Sequence, residues 1–203
     1  MKRLFLLGCA SLTLAGCAQT PSLPPIPPDP QTQMAALANR IEALVEEERL
    51  KLDPNAKPLV ADSELAKVAL ARARDMAEKN YLAHAAPNGD TSASLLMADD
   101  ATWQGLLGEN LAAQHYVKAS GVDVEMFARR FLEEWVQSAP HRENLAYAAY
   151  DRTGVGAAVN GDTVYVAELF ASDLGLKHPL AGDSVRKDQP APAAQAGTEA
   201  GGP

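Results

Sequence analysis

The chain has 203 residues, 47% of them hydrophobic, and a formal net charge of −8. Without Lys2 and Arg3 of the amino-terminal leader the charge is −10, a sign that repels phosphate backbones and argues against nucleic acid as a partner. Its two cysteines, Cys9 and Cys17, both lie at the amino terminus. The folded part therefore has no disulfide, no thiolate metal site and no thiol nucleophile.

Met1-Lys2-Arg3 is a positive start, and the apolar run from Leu4 to Ala15 is far short of the roughly twenty residues that span a bilayer. Residues 1–16 read as a signal peptide. Their end, Leu14-Ala15-Gly16-Cys17, resembles the bacterial lipobox, which implies cleavage before Cys17 and acylation of that cysteine, so that the membrane is a partner through the anchor. Ordinary secretion with cleavage at an Ala-x-Ala-like site is the alternative. Residues 17–33 carry Pro21, Pro24, Pro25, Pro27, Pro28 and Pro30 and are expected to form a stiff tether. Ala18 stands where an Asp often marks inner-membrane retention, so the resemblance favours the cell envelope at the outer membrane.

From Met34 the apolar residues Met34, Leu37, Ile41, Leu44 and Val45 recur at three and four, which predicts an amphipathic helix ending before Asp53-Pro54-Asn55. Asp62 is an N-cap candidate for a second helix, with Leu65, Val68, Ala69, Ala73 and Met76 on one side, stopping near Asn80. A third carries Val124, Phe127, Phe131, Leu132 and Trp135 behind Asp123. Ser138-Ala139-Pro140 then breaks it and opens a short fourth, with serine as the expected cap.

Beyond these the period changes to two. Val155, Ala157 and Val159 alternate with small residues, Asn160-Gly161 signals a hairpin, and Thr163 to Phe170 reads as a strand. Helices followed by a hairpin predict an α+β domain over residues 34–178, with helices covering the sheet. Residues 179–203, rich in Ala, Pro and Gly, are expected to be a disordered tail. Trp103 and Trp135 read as core, and Asp99-Asp100 as a solvated loop.

Of the four histidines, His115 and His178 lie in loop-like or tail-like contexts. His84 precedes the turn Pro87-Asn88-Gly89; His141 opens the short helix in Ser138-Ala139-Pro140-His141-Arg142-Glu143-Asn144; Gly108-Glu109-Asn110-Leu111 lies between them. These segments, in this order and with the downstream hairpin, resemble the CAP superfamily, or SCP-like domain, in its disulfide-free bacterial form. The resemblance implies an α-β-α sandwich whose cleft is lined by His84, Glu109 and His141, sometimes with a divalent metal such as zinc. Many secreted eukaryotic members of that family complete the set with a second glutamate three residues after the tryptophan, where this chain has Ser138.

The residues themselves leave two readings open. Two imidazoles and one carboxylate are a known zinc set with an open position for water. Equally, the carboxylate can fix the imidazole tautomers by hydrogen bonding, giving a polar binding cleft that requires no cofactor. Asn110 is expected to organise a turn. Glu168 shares strand parity with Val164 and Val166, so its carboxylate needs a partner, with Arg142 and the two histidines as candidates, or else it is wet on an edge strand. Three functions follow as expectations: a tethered module binding a lipid or envelope component in its cleft, a hydrolase in which Glu109 or a histidine activates water, and an envelope interaction protein.

Overall fold

In a computed structural model of the chain, residues 26–173 are described. The leader, Cys17, most of the proline-rich stretch, His178 and the tail lie outside them.

Helix α1 spans Pro30–Leu52, beginning four residues before Met34, inside the stretch assigned to the tether. The reason is local: Asp29 accepts from the Gln31 amide, and Pro30, in the first turn, needs no donor of its own there. Strand β1 is only Val60–Ala61. Helix α2, Ser63–Lys79, is capped by Asp62 as expected and ends on Asn80 in the left-handed region, at φ 53°.

Helix α3, Ser92–Asp99, carries no periodic signal; a capping box between Thr91 and Ser94 starts it. Asp99-Asp100 is therefore a helix end rather than a solvated loop, and Asp99 pairs with Lys67 at 2.6 Å. Strand β2, Gly105–His115, is likewise an element that the sequence pattern does not announce. Helix α4, Val124–Gln137, is capped by Asp123. Helix α5, Ala139–Ala146, follows at once, but the Ser138 side chain makes no capping bond; its backbone amide instead closes α4 onto Glu134 and Trp135.

Strands β3, Arg152–Asn160, and β4, Thr163–Asp173, form the expected hairpin, with Asn160 opposite Thr163 and Gly161 at φ 65°. The sheet order is β1-β3-β4-β2, with β2 antiparallel to β4 along its whole length. One face packs α1, α4 and α5 around Phe127, Phe131, Trp135 and Phe170; the other packs α2 and α3 around Leu65, Met76 and Leu169. This is the α-β-α sandwich the sequence leads one to expect. Trp135 is fully buried, whereas Trp103 is only half-buried against the second layer.

The α2 layer sits directly on the backbone of β3. A Cβ on Gly156 would stand 2.1 Å from the Leu70 amide nitrogen, so only glycine permits this approach. At the other layer, Gly121, at φ +67°, lies under Pro27, whose Cβ would be 2.6 Å from any Cβ placed there.

Candidate functional site

Arg72 is the hub of the site. It lies in the apolar stripe of α2, one per cent exposed, where a guanidinium must find fixed acceptors. Its Nη2 donates to the Ala83 carbonyl at 2.7 Å and its Nη1 to the Tyr81 hydroxyl at 3.0 Å; that hydroxyl in turn donates to Asp75. The residue before His84 is thus pinned to α2. Hydrogen bonds to Lys79 and then Tyr81 hold the Asp75 carboxyl below its ordinary range.

Glu109 enters from β2 on the α2 side of the sheet, the side of Leu111. Its Oε2 is 2.7 Å from His84 Nδ1, its Oε1 accepts from the Ser92 hydroxyl, and Arg72 Nε lies 3.6 Å from Oε1. Its side chain is 10% exposed against 65% for His84.

His141 reaches the site from α5, around the outer edge of β2. Asn110 Nδ2 donates to the His141 carbonyl at 3.1 Å, and Asn144 Nδ2 approaches both Asn110 Oδ1 at 2.9 Å and the Glu109 carbonyl at 3.2 Å. Fully buried Asn110 therefore ties strand to helix in mid-strand, rather than organising a turn. His141 Nδ1 is buried without a hydrogen-bond partner. Burial first, then the nearby His84, push the His141 imidazole below its ordinary pKa, against an opposing pull from Glu134.

The structure brings His84 and Glu109 into contact and sets His141 near His84, but it does not assemble the three as ligands. Among the described residues no three His, Cys, Asp or Glu side chains stand where they can hold a metal ion. Both oxygens of Glu109 are engaged by protein donors, and the buried guanidinium of Arg72 stands beside them.

The supporting residues fall out differently from expectation. Glu168 lies on the α1 side of the sheet, opposite in parity to the neighbours of Glu109, and β4 is a central strand, so it is neither wet nor part of the site. Its partner is the Thr153 hydroxyl, 3.2 Å from Oε1, and neither Arg142 nor a histidine. Arg142 is exposed and donates to the Val136 carbonyl at 2.9 Å. Ser138 is half-buried and serves as a backbone hinge between α4 and α5. His115 is exposed, beside Thr163 at 2.8 Å.

Sequence reasoning missed Arg72, Ser92, Asn144 and Glu134. For Arg72 a signal existed, because Leu65, Ala69, Arg72 and Met76 follow four-three-four spacing and place an arginine on the buried face. Glu134 is bonded by Gln114 Nε2 at 2.9 Å, one turn before Ser138.

Comparison with known proteins agrees with this architecture. The model of the cysteine-rich secretory protein family matches residues 49–172. The uncharacterized protein YkwD of Bacillus subtilis (strain 168) is 27% identical over 130 residues, 64% of this chain and 46% of that protein, so the chain spans less than half of that relative's length. An outer surface protein from Borrelia burgdorferi has a TM-score of 0.56 at 23% identity, over 68% of this chain and 92% of that one. An extracellular protein containing a SCP domain from Bacillus anthracis str. Ames has a TM-score of 0.55 at 28% identity, over 74% and 45%. The family match covers more than half of the chain and spans β2, the hairpin and every residue of the His84–Glu109–His141 site: the chain belongs to the cysteine-rich secretory protein family, the CAP superfamily.

Proposed function

We propose that the chain is an extracytoplasmic binding module, anchored by acylated Cys17, whose His84–Glu109–His141 surface holds a polar envelope component or lipid headgroup without a metal. The observation that carries this reading is the state of Glu109. Its carboxylate is hydrogen-bonded by His84 and Ser92 and ion-paired with Arg72, whose Nε makes no hydrogen bond, so the site is organised before anything binds. What remains for a ligand is the exposed imidazole of His84 and the nearby ring of His141, both suited to hydrogen bonding. The names of the relatives, an outer surface protein and an extracellular one, support the location.

The reading is tested by titrating the domain with zinc, with lipid vesicles and with cell-wall fragments, alongside His84→Ala and His141→Ala. Lipid or wall binding lost in both variants, without stoichiometric zinc uptake, is the expected result. Micromolar zinc binding abolished by either variant would overturn the metal-free site. Mass spectrometry of the mature protein checks the anchor, with an unmodified terminus downstream of Cys17 as the contrary outcome.

One observation favours a hydrolase as a second reading. With Nδ1 held by Glu109, the other nitrogen of His84 faces outward as a base. A hydrolase screen comparing wild type with Glu109→Gln decides, since equal turnover in both removes that role.

A further inference from the structure

The sheet has two edges, and the chain treats them differently. At β2 the outward carbonyls of Glu109 and Leu111 are taken by side chains, Asn144 Nδ2 at 3.2 Å and Trp135 Nε1 at 3.4 Å. At β3 the first rungs are taken by β1: Ala61 pairs with Thr153, and the Asp62 amide donates to the Thr153 carbonyl at 2.8 Å. The far end is taken by Gln31, whose Nε2 donates to the Val159 carbonyl at 3.0 Å. The two-residue period of a strand aims the amide and carbonyl of Val155 and Ala157 the same way, outward from β4. Among the described residues, none donates to or accepts from those outward groups.

These unpaired groups form the floor of a groove of about 1040 Å³ that runs between α1 and α2. Its walls carry Met34 and Ala38 on the α1 side and Ala66 and Leu70 on the α2 side, with Asn39 of α1 and Lys67, Arg74 and Glu78 of α2 among the other lining residues. Three occupants suit such a trough, and the floor discriminates between them. An acyl chain would cover the four backbone polar groups with hydrocarbon and leave each of them unsatisfied, which is costly. A second copy of the chain presents an equally recessed edge, and helices about 10 Å wide on both molecules would collide before strands reached the roughly 4.8 Å spacing of a pair. A single extended polypeptide satisfies the floor and fits between the walls.

We propose that the outer edge of β3 is a docking groove for an extended, proline-free peptide segment of a partner protein, which adds a strand in line with β1. Helices cover both sides of the added strand, so its side chains are small and mostly apolar at successive positions. The groove is at the opposite edge of the sheet from His84 and is independent of the reading given for that site.

The test is a random heptapeptide library displayed on phage and panned against the full mature chain, with recovered sequences measured as synthetic peptides. Ala157→Pro removes one outward amide at a position the ladder to β4 does not use, which an edge strand tolerates. Leu70→Arg, on the half-buried wall, is the second variant should the first fail to fold. Peptides should bind the wild type, protect the Val155 and Ala157 amides from hydrogen exchange, and bind at least tenfold more weakly to a folded variant, while His84→Ala leaves them unaffected. Three outcomes overturn the proposal: no peptide whose binding depends on either variant, protection of both amides in the full chain alone, or displacement of every peptide by palmitate.

Discussion

His84 Nδ1 and Glu109 Oε2 stand 2.7 Å apart, yet the two partners are not equivalent: the carboxylate is sunk against Arg72 while the imidazole is largely in water. Removing one should not resemble removing the other. Glu109→Ala leaves a buried guanidinium without its carboxylate and is expected to cost roughly 3 kcal/mol. His84→Ala breaks only the exposed side and should cost less than about 1 kcal/mol. Urea denaturation of the two variants measures the difference, and equal midpoints would contradict the asymmetry.

Glu168 makes stability depend on pH with a definite sign. Burial raises its carboxyl well above the ordinary value of 4.5, against the Thr153 hydrogen bond and with help from the Glu42 charge. A group whose folded pKa is raised stabilises fully below its unfolded pKa, and that stability is lost as pH climbs towards the folded value. Wild-type stability should therefore decline from about pH 4.5 upward through this group. Glu168→Gln, which is neutral throughout, should flatten the decline. Parallel slopes of urea midpoint against pH for the two proteins would show that the group does not act this way.

Arg49, fully buried near the end of α1, donates to three backbone carbonyls, those of Lys57 at 3.1 Å, Leu145 at 2.9 Å and Tyr150 at 2.8 Å. It joins α1 to the loop before β1, to α5 and to the approach to β3. Arg49→Ala strands those carbonyls and opens a void, so a loss of roughly 3–5 kcal/mol is expected. Arg49→Lys retains charge but not the planar fork and should recover less than half of the loss. Thermal melts of the pair check both statements.

Gly156→Ala tests the contact between α2 and the sheet. The added methyl meets backbone atoms of Ala69 and Leu70, which no rotamer change relieves. An expected cost of about 3 kcal/mol follows from such overpacking. Gly89→Ala supplies the comparison, because its Cβ would meet nothing within 4 Å although its φ of +93° adds backbone strain. If the two variants melt together, the close approach does not carry the layer.

Periodicity makes α1, α2, α4 and the hairpin legible, because each buries one face and its caps are short-range: Asp62, Asp123 and Asn160-Gly161. Strand β2 is not legible. It is an edge strand whose two sides carry unlike duties, Glu109 in the site and Asn110 bonded to α5, so polar residues interrupt both alternating sets. Helix α3 is too short to show a stripe, and β1 has two residues. Three separated segments anticipate the His84–Glu109 contact, but not the buried cation beside Glu109. That cation is Arg72, an arginine whose burial depends on acceptors supplied by a loop nine to eleven positions downstream. Counting the hairpin register outward from Asn160 opposite Thr163 sets Glu168 against Val155, and its partner Thr153 is the diagonal neighbour on the same face, two positions further along β3.

Pro27 resting on Gly121 bears on how the chain responds to mechanical load. Tension arriving from the amino-terminal side passes through that contact before it reaches Asp29 and the first turn of α1, and Gly121 belongs to the approach to α4. Force is thus shared at the outset by two helices of the same layer. His84 is carried instead by α2 and its loop, on the far side of the sheet. A pull on the amino-terminal end therefore loads the layer that does not hold the His84 loop, and leaves the pairing with Glu109 mechanically in its lee.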